Sequence, residues 1–168
     1  PGVVTVTAGS GETSRVETAN ILIATGSVST HLPGVEIDEE RIVTSTGALD
    51  LVAVPNHLVV LGAGFIGLEM GSIWARLGAR VTVVEMLDAI APGMDGEVIK
   101  HFQRLLKRQG LEFRLGTKAS RVMRKGEVVE LILEPREGGK KEFLNADVVL
   151  VAVGRRPFTE GLGLEEAG

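Results

Sequence analysis

Valine and threonine alternate over residues 3–7, the run Ala8-Gly9-Ser10-Gly11-Glu12 turns the chain, and residues 14–24 extend again. That pattern predicts a β-hairpin. The end of its second arm, residues 20–24 (NILIA), reads as a strand buried on both faces and stopped by Thr25-Gly26-Ser27. Residues 28–40 read as loop, with a turn at Pro33-Gly34 and a short acidic run, Asp38-Glu39-Glu40, expected to be solvated. Ser45 is the expected cap of a short helix running to Leu51, and Pro55-Asn56 breaks the chain again.

From His57 the periodicity changes to alternating strand and helix. Leu58–Leu61 is an apolar strand, and Gly62 opens a glycine-rich turn. Residues 65–77 then place Ile66, Met70, Ile73, Trp74 and Leu77 at helical spacing, before Gly78. A second strand, Val81–Val84, ends on Glu85. Asp95 caps a predicted helix with an apolar face of Val98, Phe102, Leu105 and Leu106, and residues 111–115 form a third strand. Segments 119–124, 127–134 and 141–144 read as short antiparallel strands, and the run Val148–Val153 as a strand returning to the main sheet. The order implies an α/β fold: a Rossmann-like, doubly wound parallel sheet with helices on both faces and a small antiparallel β layer over 117–145.

Composition narrows the chemistry. The 168 residues carry a net charge of −4, which gives no support for electrostatic nucleic-acid binding. The uncharged run 51–68 is broken by Pro55, Asn56 and three glycines, so it reads as strand-turn-helix and no membrane span is expected. The chain has no cysteine, which removes disulfides, thiolate-bound zinc, iron–sulfur clusters and a cysteine nucleophile from it. It has no tyrosine, which removes a tyrosine general acid. His31, His57 and His101 are scattered, without metal or triad spacing, and are expected at the surface or in capping roles. No catalytic constellation and no metal site is expected within the chain. Pro1 leads directly into strand-like sequence without an initiator methionine, which reads as a chain cut from something longer.

One motif carries chemistry. Gly62-Ala63-Gly64-Phe65-Ile66-Gly67 is a G-x-G-x-x-G that follows an apolar strand and opens an amphipathic helix. In that context the first glycine permits the tight turn, the second lets the backbone approach a pyrophosphate, and the third lets helix and strand pack closely. Glu85 ends the next strand about 20 residues on, where a carboxylate binds the adenine-ribose hydroxyls of NAD and repels the 2′-phosphate of NADP. No arginine occurs in residues 81–100 to receive that phosphate. Glu69 in the first helical turn is explained equally by the helix dipole. Gly154-Arg155-Arg156-Pro157 is either a plain strand exit or a ligand-facing edge of the sheet.

These residues resemble a known family. LVVLGAGFIGLEMGSIWARLGARVTVVE (58–85), ILIATGS (21–27), STGAL (45–49), MDGE (94–97) and VAVGRRPFTEGLGLEEAG (151–168) are similar to the NAD-binding domain of dihydrolipoyl dehydrogenases, within the pyridine nucleotide-disulfide oxidoreductases. The resemblance implies that Gly62, Ala63, Gly64, Phe65, Ile66, Gly67, Leu68 and Glu69 surround the NAD pyrophosphate and nicotinamide end. By the same resemblance Glu85 holds the ribose, Ala119 touches the adenine end and Gly154 makes a backbone contact. Thr25 and Gly26 belong to the end of a flavin domain and touch FAD. The expected division is a partial flavin-binding domain over 1–30, the NAD(H)-binding domain over 31–156, and an exit segment over 157–168. The whole protein implied is a homodimeric flavoenzyme of the bacterial cytoplasm or mitochondrial matrix. It would oxidise dihydrolipoyl groups on lipoyl domains of 2-oxo acid dehydrogenase complexes, through a disulfide and FAD, to NAD. This chain alone would bind NAD(H) and lack the redox disulfide and the acid/base pair. The alternatives are a stand-alone regulatory NAD-binding module, or the same domain of another flavin disulfide reductase such as a glutathione or mercuric reductase. Surfaces that would face the missing domains leave self-association open.

Overall fold

Strand-forming Val and Thr residues give β1 (Gly2–Thr7) and β2 (Thr13–Thr18), an antiparallel hairpin with Gly2 opposite Thr18 and Thr7 opposite Thr13. The computed structural model describes residues Gly2–Ala167. Pro1 and Gly168, which end the two expected flanking segments, lie outside the described residues. The chain divides into two units, one made of residues up to Ser27 together with those from Pro157 onward, the other of Val28–Arg156.

In the first unit the hairpin forms as its sequence predicts, but residues 20–24 do not form a buried strand. They are extended coil, and Leu22 is 91% exposed. An apolar run becomes a buried strand only when neighbouring strands take up its N–H and C=O groups, and among the described residues none pairs with this one.

The second unit begins within β3 (Ser27–Ser29) and holds β4 (Ile42–Val43), α1 (Ser45–Asp50), β5 (His57–Leu61), α2 (Phe65–Leu77), β6 (Arg80–Val84), α3 (Gly96–Arg108), β7 (Leu111–Arg114), β8 (Thr117–Lys125), β9 (Val128–Pro135), β10 (Glu142–Ala146) and β11 (Val148–Val151). The strand β12 (Arg155–Pro157) returns the chain to the first unit, which ends in α4 (Leu164–Ala167). Five strands make a parallel sheet in the order β4-β11-β5-β6-β7. Three make an antiparallel sheet in the order β10-β9-β8.

Side chains of the central strands alternate between two cores. Leu58 and Val60 of β5, with Val81, Val83, Val148 and Leu150, meet Leu68, Met70, Trp74 and Leu106 from α2 and α3, and Ala48 from α1. Val59 and Leu61, with Val149 and Val151, meet Val122, Val129, Leu131 and Leu133 of the antiparallel layer. The helices therefore cover one face only. The second face, expected to carry helices, is covered by the β layer, which is also how the chain crosses back from β7 to place β11 beside β5. The fold is α/β and Rossmann-like, with that β layer completing the double winding.

Several details differ from the sequence reading. The apolar stripe of α2 is rotated: Ile73 and Leu77 are exposed, and the buried line is Gly67, Leu68, Met70, Gly71 and Trp74. A Cβ on Gly67 would collide with the Gly62 carbonyl, so the small residues set how closely the helix lies on the sheet. In α3 only Leu106 is buried; Val98 and Leu105 stay about half exposed along an open apolar groove.

The acidic run at 38–40 also does more than meet solvent. One oxygen of Asp38 accepts N–H bonds from Glu40, Arg41 and Ile42 at 2.8–2.9 Å, and Arg124 binds the other at 2.8 Å. Glu39 takes the Thr44 N–H and hydroxyl and the Gly47 N–H, while Thr44, not Ser45, caps α1. Finally, His57 is buried, its Nε2 3.0 Å from the Thr82 hydroxyl. Burial pushes its imidazole below the usual histidine range, and the neighbouring Arg80 guanidinium adds to that against the opposing pull of the Asn145 carbonyl.

Candidate functional site

The site is assembled where β5, β6 and β11 end. β5 is followed in sequence by β6 on one side and flanked by β11 on the other, so the crevice beyond their carboxyl ends is a switch point of the sheet. Gly62 leaves β5 with φ +102°, a conformation only glycine adopts without strain, and donates its N–H to the Val84 carbonyl at 2.8 Å. A Cβ there would strike the Ala152 carbonyl beyond β11. The Ala63 carbonyl then accepts the Ala91 N–H at 2.8 Å, tying the turn to the long loop after β6.

Gly64 differs from its two partners. Its backbone is extended, with φ −74° and ψ 177°, which any residue can adopt, and a Cβ built on it would meet nothing within 4 Å. Neither backbone nor packing requires glycine at this position. It caps the 13-residue α2 without a side-chain hydrogen bond, so its face lies open at a helix N-terminus. An open, side-chain-free face on the positive end of a helix fits a diphosphate.

Glu85 stands beside this turn. Its carboxylate accepts the Ala63 N–H at 2.7 Å on one oxygen and the Leu87 N–H at 2.8 Å on the other. Its backbone bridges β7 and β8: the Glu85 N–H donates to Arg114 and its carbonyl accepts from Thr117, each at 2.9 Å. The side chain is thus oriented by the glycine turn itself, and each oxygen keeps acceptor capacity for a hydroxyl donor.

Two clefts hold most of the predicted residues. Glu85 and Ala119 line one of about 430 Å³ with Gly62, His31, Pro33 and Lys118. Gly64, Phe65, Ile66 and Gly154 line a smaller one of about 160 Å³ with Ser45 and Ala152. Ala119 is placed by β8 at a bulge, where pairing passes from Ala119 opposite Leu133 to Arg121 opposite Ile132, leaving Ser120 extra. The Gly154 carbonyl accepts the Thr30 N–H at 2.9 Å. Phe65 is 55% exposed, and Glu69 is exposed on α2, whereas Leu68 points into the core. Thr25 and Gly26 lie in the other unit, where the Thr25 hydroxyl donates to the Phe158 carbonyl and the Phe158 N–H donates to Gly26.

Sequence reasoning missed one group. No arginine lies near Glu85 along the chain, but Arg136 is brought to the loop that follows it, bonding the Met86 carbonyl and the Asp88 carboxylate. No local signal marks Arg136, because the contact depends on the β8–β9 pairing. Among the described residues no cluster of three metal-binding side chains occurs, and no helix is long and apolar enough to cross a membrane.

Over 167 residues the chain is 56% identical to dihydrolipoyl dehydrogenase 3 of Pseudomonas aeruginosa, covering 99% of this chain and 36% of that protein. It is 54% identical to dihydrolipoamide dehydrogenase of Chaetomium thermophilum, covering 100% of this chain and 34% of the relative. The chain thus spans about a third of the length of the curated relatives it matches. Among solved structures it superposes on LpdA from Mycobacterium tuberculosis with a TM-score of 0.83 and 33% identity, over 96% of this chain and 34% of that one. The family model described as pyridine nucleotide-disulphide oxidoreductase matches residues 2–168. A glycine turn at the sheet's switch point, a carboxylate fixed on that turn and a match over this length have one reading: the chain belongs to the pyridine nucleotide-disulphide oxidoreductase family.

Proposed function

We propose that this chain is the NAD(H)-binding part of a dihydrolipoyl dehydrogenase, and that NAD is preferred over NADP. The observation that carries the reading is the open face of Gly64 beside a Glu85 carboxylate that the same turn holds in place. A dinucleotide laid across the turn would set its diphosphate against Gly64 and the start of α2. Its adenosine would run past Glu85 toward Ala119, and its nicotinamide end past Phe65 toward Glu69. Gly154 would meet it through backbone. Glu85 would accept from the ribose hydroxyls and oppose a 2′-phosphate by charge.

In the whole protein the reaction proposed is the oxidation of a dihydrolipoyl dithiol with NAD as the final two-electron acceptor. FAD supplies the two-electron relay when bound, and Thr25 and Gly26 are the residues of this chain proposed to touch it. The chain itself has no cysteine, so the thiol chemistry lies in residues other than these. Homodimerisation and docking to lipoyl domains are proposed for the whole protein on the same basis.

The test is calorimetric titration of the chain with NADH and with NADPH. NADH is expected to bind and NADPH to bind more weakly. Glu85→Ala should weaken NADH binding by about 1.5–3 kcal/mol, the range for hydrogen bonds to a charged group. Unchanged NADH affinity in that variant would remove Glu85 from the site.

A further inference from the structure

The loop that follows Glu85 is tied down by a residue 48–50 positions further along the chain. The Arg136 N–H donates to the Gly116 carbonyl at 2.7 Å, and the Gly116 N–H donates to the Leu87 carbonyl at 2.9 Å, so the end of β9 is stitched to this loop through backbone. The Arg136 guanidinium then donates to the Met86 carbonyl at 3.4 Å and to the Asp88 carboxylate at 3.2 Å, with Glu137 at 3.6 Å. Met86 lines the same cleft as Glu85. A guanidinium therefore rests one residue beyond the carboxylate assigned to the ribose.

Arg136 stands behind Met86, outside the lining of this cleft, whereas the cation that lines it is differently held. Lys118 lies 2.9 Å from Glu134, a largely buried carboxylate that also pairs with Lys141 at 3.4 Å. Among the described residues Arg136 has only solvent-exposed acids as ion-pair partners: the Asp88 side chain is 77% exposed and that of Glu137 is 87% exposed. A fork-shaped guanidinium matches a phosphate well, and an exposed ion pair is a weak restraint on it.

We infer that Arg136 is a nucleotide-selectivity residue kept out of use by Asp88: the pair, together with Glu85, sets the discrimination against a 2′-phosphate. The inference rests on the nucleotide-site reading above. A 2′-phosphate arriving at the adenosine ribose would meet the Glu85 carboxylate in the cleft, with Asp88 and an already engaged arginine on the loop just beyond it. Without Asp88 the guanidinium remains close, anchored through its own backbone, and turns to the incoming phosphate.

The test compares E85S, E85S/D88N and E85S/D88N/R136M by calorimetric titration with NADPH and NADH, with D88N alone as a fourth variant and thermal unfolding as the check on folding. Adding D88N to E85S is expected to tighten NADPH binding about tenfold, the scale of one charge-assisted hydrogen bond. Adding R136M should return it to the E85S level. D88N alone should leave NADH affinity within about threefold of wild type, since Asp88 touches no proposed NADH contact. An NADPH affinity indifferent to R136M, while NADH still binds the wild-type chain, would overturn the role of Arg136 and leave the site intact. A folded wild-type chain that binds neither nucleotide would overturn the site and this inference with it.

Discussion

Gly62, Gly64 and Gly67 are glycines for three different reasons, and each reason predicts its own phenotype. Gly62 is fixed by conformation and Gly67 by lack of room, whereas Gly64 has an ordinary backbone and open space around it. Gly64→Val is therefore expected to cost no more than about 1 kcal/mol of stability, the scale of losing a favoured N-cap residue, and to weaken NADH binding about tenfold or more, by filling the face a diphosphate would approach. Gly67→Ala should do the reverse in kind, costing about 1–3 kcal/mol of stability through the clash with the Gly62 carbonyl. Paired thermal scans and NADH titrations separate the two effects. The spacing of these glycines was readable in the sequence because a tight turn between strand and helix demands it. Arg136 was not, because its place depends on a register between β8 and β9 that no local pattern encodes.

At the scale of elements, strands with regular alternation were readable and apolar runs were ambiguous. Residues 20–24 and 148–151 look alike as sequence, yet the first is exposed coil and the second is buried between β4 and β5. What separates them is the presence of partners, a long-range property. The face of α2 was misread for a related reason: hydrophobicity marks Ile73 and Leu77, but the sheet accepts the small residues Gly67 and Gly71. The segment leading into α1 shows how acids can build an element. Burial alone would raise the pKa of Asp38, but the N–H groups of Ile42, Arg41 and Glu40 and the Arg124 guanidinium outweigh it and hold it down at about 2, from 3.8. With the folded value below the unfolded one, the stabilisation is complete above pH about 4 and is lost as pH falls toward about 2. Urea unfolding across that range should show the loss, and Asp38→Asn should flatten it while lowering stability at neutral pH.

For the molecule as a whole, every residue of the two hydrophobic cores falls within Val28–Arg156. A chain of residues 28–156 is therefore expected to unfold cooperatively and to bind NADH as the longer chain does; loss of the thermal transition would show that the hairpin unit contributes to the core. The placement of β11 has a further consequence, one of timing. This strand comes from the end of the second unit, but it sits inside the sheet, paired on both sides, and the exit from it closes against Gly62. During synthesis β4 and the β11-facing edge of β5 cannot gain this native partner until residues 148–152 leave the ribosome. The strand that completes the sheet is thus also the one whose exit packs against Gly62, so in this chain the native sheet and the native surroundings of the glycine turn can be completed only together.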